Sequence, residues 1–94
     1  MEHNLFMHRG EDHAGVALAA IKAGERIRGL VLADGSRIEL DALQDVPLAH
    51  KIAVKNVVPG EHVMLHGHPA GTATRPIRAG EHVHVHNMKS LRWS

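Results

Sequence analysis

Apolar and polar residues alternate with a period of two along much of this chain, and glycine or proline repeatedly interrupts the pattern. Asn4 to His8 reads as a short opening strand. Arg26 to Leu32 and Ser36 to Leu40 flank Ala33-Asp34-Gly35, and Asp-Gly between two such runs is a strong hairpin signal. Lys51 to Val54, His62 to His66 and His82 to His86 predict three more strands, with Ile52, Val63 and Val83 on their inward faces and Val54, Leu65 and Val85 two residues on. Asp12 to Ala20 breaks the pattern. An Ala-rich run behind a residue suited to an N-cap predicts one short helix, although Gly15 in its first turn counts against it. A second, shorter helical turn is expected at Leu43 to Asp45.

A motif occurs three times: Ile21-Lys22-Ala23-Gly24-Glu25-Arg26-Ile27, Val57-Val58-Pro59-Gly60-Glu61-His62-Val63 and Ile77-Arg78-Ala79-Gly80-Glu81-His82-Val83. Each reads as a tight turn feeding a strand, with glycine supplying a positive φ. The spacings are unequal, which excludes a solenoid. The expected organisation is a single β-rich domain spanning residues 1–94, with several tight corners.

Composition narrows the function. The chain has 94 residues and no cysteine, so disulfides and thiolate metal sites are excluded. A domain of this size buries a limited share of its surface and commonly needs a metal or a partner. With only Phe6 and Trp93 as aromatic residues, the core must be Val, Ile, Leu and Ala, and base-stacking platforms are missing. The formal charge of +1 argues against nucleic acid or an anionic membrane as partner. No stretch has the pattern of a signal peptide, and the longest apolar run, Ala14 to Ile21, falls well short of the ~20 residues needed to span a bilayer. A cytoplasmic location is expected. What stands out is ten histidines.

As a strand, Glu81 to Asn87 would turn Val83 and Val85 to the core and His82, His84 and His86 to the opposite face. Same-face neighbours are then ~6.6 Å apart, close enough to bend into one metal site at ~2.1 Å per imidazole. His82 and His86 are twice as far apart, so further ligands must come from elsewhere in the fold or from another chain. Open-sided imidazole coordination suits iron or zinc. A merely solvated polar face fits the same spacing. His82 occupies the repeat slot filled by Arg26 and His62, and its replacement is therefore expected to be silent. His62, Met64, His66 and His68 show a similar alternation. His50, after Pro47-Leu48-Ala49 and before Lys51, reads either as an exposed basic pair or as an acid–base pair able to hold a carboxylate.

Four segments occur in the order seen in one known family: Asp12 to Leu18, Pro47-Leu48-Ala49-His50-Lys51-Ile52-Ala53-Val54, Gly67 to Ala73, and Gly80-Glu81-His82-Val83-His84-Val85-His86-Asn87. From about His8 to Trp93 the chain resembles the N-terminal SAF domain, or small subunit, of the altronate and galactarate dehydratase family, which includes the alpha subunit of sulfolactate sulfo-lyase. The Val-His-x-His-Asn motif is the specific part. Where the family usually has Gly-His-Lys, this chain has Ala49-His50-Lys51.

The resemblance implies a mainly β, SAF-type β-clip fold, here with one short helix, and a lyase subunit that needs a large catalytic subunit. Such an enzyme eliminates a β leaving group from a sugar acid or related 2-hydroxy acid, giving a 2-keto acid. It also implies a divalent metal, Fe2+ in this family. His84 and His86 are then expected as metal ligands or catalytic groups, His50 and Lys51 as carboxylate-binding or proton-transferring groups, and Asp12 and Asn87 as substrate-binding groups. Leu91 and Trp93 are expected docking contacts. Two other classes stay open: a non-catalytic SAF-like ligand-binding module and a metal-buffering protein. A homo-oligomer is compatible with all of them.

Overall fold

The computed structural model describes residues 3–90, so the expected docking contacts Leu91 and Trp93 lie outside the described residues. Its strands are β1 (Leu5–Met7), β2 (Ala14–Ala17), β3 (Arg26–Val31), β4 (Arg37–Asp41), β5 (Lys51–Ala53), β6 (His62–Leu65), β7 (His68–Ala73), β8 (His82–Val83) and β9 (Met88–Ser90). They form a six-stranded sheet in the order β4-β3-β1-β2-β5-β8 and a three-stranded sheet in the order β6-β7-β9. The pairings are antiparallel except for β1 against β3. The fold is mainly β, as expected.

The expected short helix is absent among the described residues; Ala14 to Ala17 is strand β2, between β1 and β5. Tertiary packing overrides alanine's helical preference here. A Cβ on Gly15 would lie 2.6 Å from Leu5 Cδ1 and 2.7 Å from the Phe6 carbonyl oxygen, so small residues let β1 and its Leu5 side chain close onto β2. Asp12 caps no helix. It accepts the Arg9 N–H (3.3 Å) and the Gly67 N–H (3.1 Å) and is only 1% exposed. The second expected helical turn, at Leu43 to Asp45, is an irregular bend.

The Asp34-Gly35 hairpin forms as expected, with Gly35 at φ 73° and the Asp34 carboxylate accepting from the Ser36 N–H and hydroxyl at 2.9 and 2.7 Å. The β6–β7 hairpin turns through His66 (φ 55°) and Gly67 (φ 76°). Two consecutive positive φ angles match the twist of the flanking strands. This turn takes His66 and His68 out of the simple alternation that Val63 and Leu65 keep.

Each Gly-Glu motif makes the same corner. The glycine N–H donates to an alanine carbonyl, the glutamate carbonyl accepts from that same alanine, and the glutamate N–H donates three residues back. Gly24 and Glu25 hold Ala42 this way, Gly60 and Glu61 hold Ala73, and Gly80 and Glu81 hold Ala53. The glutamate side chain then staples the turn by accepting the backbone N–H of Lys22 (3.0 Å), Val58 (3.0 Å) or Arg78 (2.7 Å). A fourth corner, Val46-Pro47-Leu48-Ala49-His50, holds Ala17 by the same three backbone bonds, with Ala49 at φ 70° in the glycine position. The corners meet in pairs through the bridges Ile21↔Val46 and Val57↔Ile77. Their leading apolar residues anchor two cores: Ile21 and Val46 pack with Leu5, Ile27 and Ile52, and Val57 and Ile77 pack with Val63, Leu65 and Val83.

Candidate functional site

β8 ends at Val83, so the strand expected through His86 stops after two residues. The cause is Asn87. Its side-chain oxygen accepts the His84 N–H (3.0 Å), its amide donates to the His82 carbonyl (2.8 Å), and its own N–H donates to the His84 carbonyl (3.1 Å). The segment therefore folds into a turn, and Val85, expected in the core, is 82% exposed. Asn87 itself is buried at 2% exposure. Both ends of its amide are committed to the backbone of the histidine turn.

This turn faces the fourth corner. β5 and β8 pair Lys51 with Val83 and Ile52 with His82, which brings His50 and His84 together one step further along the ladder. His50 Nδ1 lies 2.9 Å from His82 Nε2. The His50 ring centroid is 5.1 Å from that of His82 and 5.2 Å from that of His84, and the His82 and His84 rings stack at 5.3 Å. One nitrogen from each of the three lies within 4.8 Å of the others. Two neutral imidazoles in hydrogen-bond contact share one proton, since one nitrogen must donate and the other accept. His82 also donates its backbone N–H to the Gln44 side chain at 2.9 Å, a contact with no sequence signal.

His82 is thus central to the cluster, contrary to its expected role as a silent repeat residue. Burial, reinforced by the nearby His50, His84 and His86, holds its pKa below the usual histidine value. His86 touches only the edge of the group, with its ring 5.6 Å from that of His82, and is exposed. Lys51 is half-buried beside the cluster, and among the described residues no carboxylate forms an ion pair with it. It lines a surface depression of about 230 Å³ with His50 and His84, and a neighbouring one of about 340 Å³ with Ala70, Val85 and Met88.

The other expected site residue lies elsewhere. Asp12 is beyond the opposite end of the β2–β5 ladder, in a turn tied to Gly67. Next to it, His13 Nδ1 accepts the Met64 N–H at 2.9 Å and its Nε2 lies 3.5 Å from Glu61. His8 and His66 make an edge contact at 5.9 Å on the exposed surface.

The donor set fits a divalent ion. Three imidazoles, with no carboxylate in the cluster among the described residues, suit a borderline metal such as ferrous iron or zinc and would leave coordination positions open.

Comparison with known proteins identifies the family. Residues 3–91 match the family model described as the altronate/galactarate dehydratase SAF domain. The chain is 31% identical over 94 residues to the (2R)-sulfolactate sulfo-lyase subunit alpha of Chromohalobacter salexigens, covering 99% of this chain and 100% of that one. It is 36% identical over 64 residues to the subunit of the same name from Paracoccus pantotrophus, covering 68% of this chain and 96% of that one. The altronate dehydratase of Bacillus subtilis is 36% identical over 80 residues; these make up 85% of this chain and only 15% of that enzyme. This chain belongs to the altronate/galactarate dehydratase SAF-domain family.

Proposed function

We propose that this chain is the small subunit of a metal-dependent lyase acting on a sugar acid or related 2-hydroxy acid, and that His50, His82 and His84 are its contribution to the active site. The observation that carries the reading is the convergence of three imidazoles, with no carboxylate partner among the described residues, on an open surface beside a half-buried lysine. A divalent ion there, ferrous iron by family resemblance, would neutralise charge building on the substrate carboxylate as the α proton leaves.

The chain's own residues supply the rest. Lys51 holds the substrate carboxylate from the side of the two depressions. His86, outside the three converging rings, protonates the departing group. The α C–H electron pair becomes the Cα=Cβ bond while the Cβ–O or Cβ–S bond breaks onto hydroxide or sulfite. Protonation of the resulting enol at Cβ, with loss of the enol O–H proton to solvent, gives the 2-keto acid. Asn87 fixes the turn that presents His84 and acts as a positioning residue. The base that removes the α proton is assigned to a large partner chain, because the cluster lies open on the surface of a small domain. Relatives named as subunit alpha, and altronate dehydratases in which the matching region is 15% of the chain, support that partner.

The test is to coexpress the chain with a large dehydratase-like or sulfo-lyase-like chain and measure metal content and turnover. Activity and iron should appear in the complex and both should fall with His84→Ala. Full turnover by the 94-residue chain alone, or an unaffected His84→Ala complex, would overturn the reading. A complex that binds the acid without turning it over would identify a ligand-binding module instead.

A further inference from the structure

The fourth corner differs from the others at two linked positions. In the corners at residues 21–25, 57–61 and 77–81, the last residue is glutamate, and its carboxylate accepts the N–H of the residue three before it. In the corner at residues 46–50, that earlier residue is Pro47, which has no N–H to cap. The last residue is His50, whose imidazole points to His82 instead. The backbone bonds that define the corner are all kept: Ala49 N–H to Ala17 carbonyl at 2.9 Å, Ala17 N–H to His50 carbonyl at 2.9 Å, and His50 N–H to Pro47 carbonyl at 3.0 Å.

We infer that Pro47 is a positioning residue: by removing the donor that the other corners staple, it releases the side chain at position 50 from a structural task and leaves it to the histidine cluster. A glutamate at this slot would satisfy a backbone donor if one were present, and a carboxylate so engaged could not face His82 and His84. Proline also presets φ at the corner, so its ring stiffens the segment that carries His50. The fold thus carries four copies of one corner, three closed by their own side chains and one opened for a ligand. The corner's design stands on its hydrogen bonds alone; its consequence for metal binding rests on the function proposed above.

Two measurements on the 94-residue chain separate these levels. The first is a thermal-stability cycle of Pro47→Ala, His50→Glu and the double variant. In the double variant the restored N–H and the introduced carboxylate meet, and its unfolding midpoint should exceed the sum of the single effects by about 4 °C or more, the scale of one hydrogen bond in a small domain. The second is titration with Co2+ followed by its visible spectrum. His50→Glu alone, with Pro47 kept, leaves its carboxylate free to join His82 and His84 and serves as the reference for cobalt affinity. The double variant should bind at least ~10-fold more weakly, as expected when an outer residue stops supporting a ligand.

Additive midpoints, together with a cobalt affinity that ignores residue 47, would overturn the inference. If even the unaltered chain does not bind Co2+, the metal reading falls while the stability cycle still decides the corner. An independent check uses the corner at 77–81: Arg78→Pro should erase the stability cost of Glu81→Ala, whereas Arg78→Ala should leave that cost intact. This arm decides the inference should the position 50 variants fail to fold.

Discussion

His13 and His50 sit at opposite ends of the same β2–β5 ladder, and their surroundings differ in kind. At one end the His13 carbonyl receives the Val54 N–H, its Nδ1 receives the Met64 N–H, and its Nε2 faces Glu61; the adjacent Asp12 accepts two backbone N–H groups. These groups are committed to holding the chain together. At the other end the His50 carbonyl receives the Ala17 N–H, but among the described residues the polar partners of its ring are imidazoles, those of His82 and His84. Equal residue types therefore do different work. A histidine whose partners are backbone and carboxylate is part of the scaffold, whereas histidines facing one another have nitrogen lone pairs available to a metal or a proton.

The largest expected effects fall at the His50 end. In the complex with its large chain, His82→Ala and His84→Ala should each lower turnover by at least ~100-fold, the scale for losing a group in acid–base or ligand chemistry. Metal content should fall with it, and a silent His82→Ala would remove the cluster from the site. At the other end, Asp12→Ala should destabilise the fold by about 1–3 kcal/mol, because it strands the Arg9 and Gly67 N–H groups. Urea unfolding measures this, and cobalt binding by the folded variant should be unchanged. Loss of binding without loss of stability would show that the two ends are not separate.

Acid should sharpen the contrast at a smaller scale. Burial and neighbouring imidazoles lower the His82 pKa in the folded chain, so below about pH 6.5 the unfolded chain binds more protons at this position. The His82 contribution to stability is then complete above that pH and is lost progressively as pH falls through the ordinary histidine range, until the folded ring also protonates. Urea midpoints at pH 7.5 and pH 5.5 should separate less in His82→Asn than in the unaltered chain. The smallest effect belongs to His62, exposed on β6 with the Thr72 hydroxyl 3.3 Å from its Nδ1. His62→Ala should change stability by less than about 0.5 kcal/mol and leave metal content untouched.

Much of the fold was legible because its signals are local. Alternation located β1, β3, β4, β5 and β6, and Asp34-Gly35 located a hairpin that forms through its own side chain. The Gly-Glu corners were legible for the same reason: each glycine adopts its positive φ, and each glutamate bonds within its own turn. β7 and β9 were missed as strands, since neither carries a clear alternating run. The apparent helix at Asp12 to Ala20 misled because small residues favour both a helix and a crowded central strand. Gly15 counts against a helix, and Leu5, packed against it from a neighbouring strand, decides for the strand.

The site divides in the same way. Residue type, motif and family resemblance singled out His50, Lys51, His84 and His86 as candidates, and strand spacing pointed to a partner for the last strand's histidines from elsewhere in the fold, which His50 supplies in the cluster. The fourth corner was hidden because alanine and histidine replace Gly-Glu there, so its identity appears only in the backbone bonds to Ala17. The sequence by itself determined a mainly β chain, its turn chemistry and its family, because these depend on local conformation and a motif in order. Tertiary structure alone decided that His82 joins His50 and His84, that Val85 leaves the core, and that Asn87 is a staple. Those outcomes depend on register between strands distant in sequence and on where one buried amide finds its hydrogen bonds.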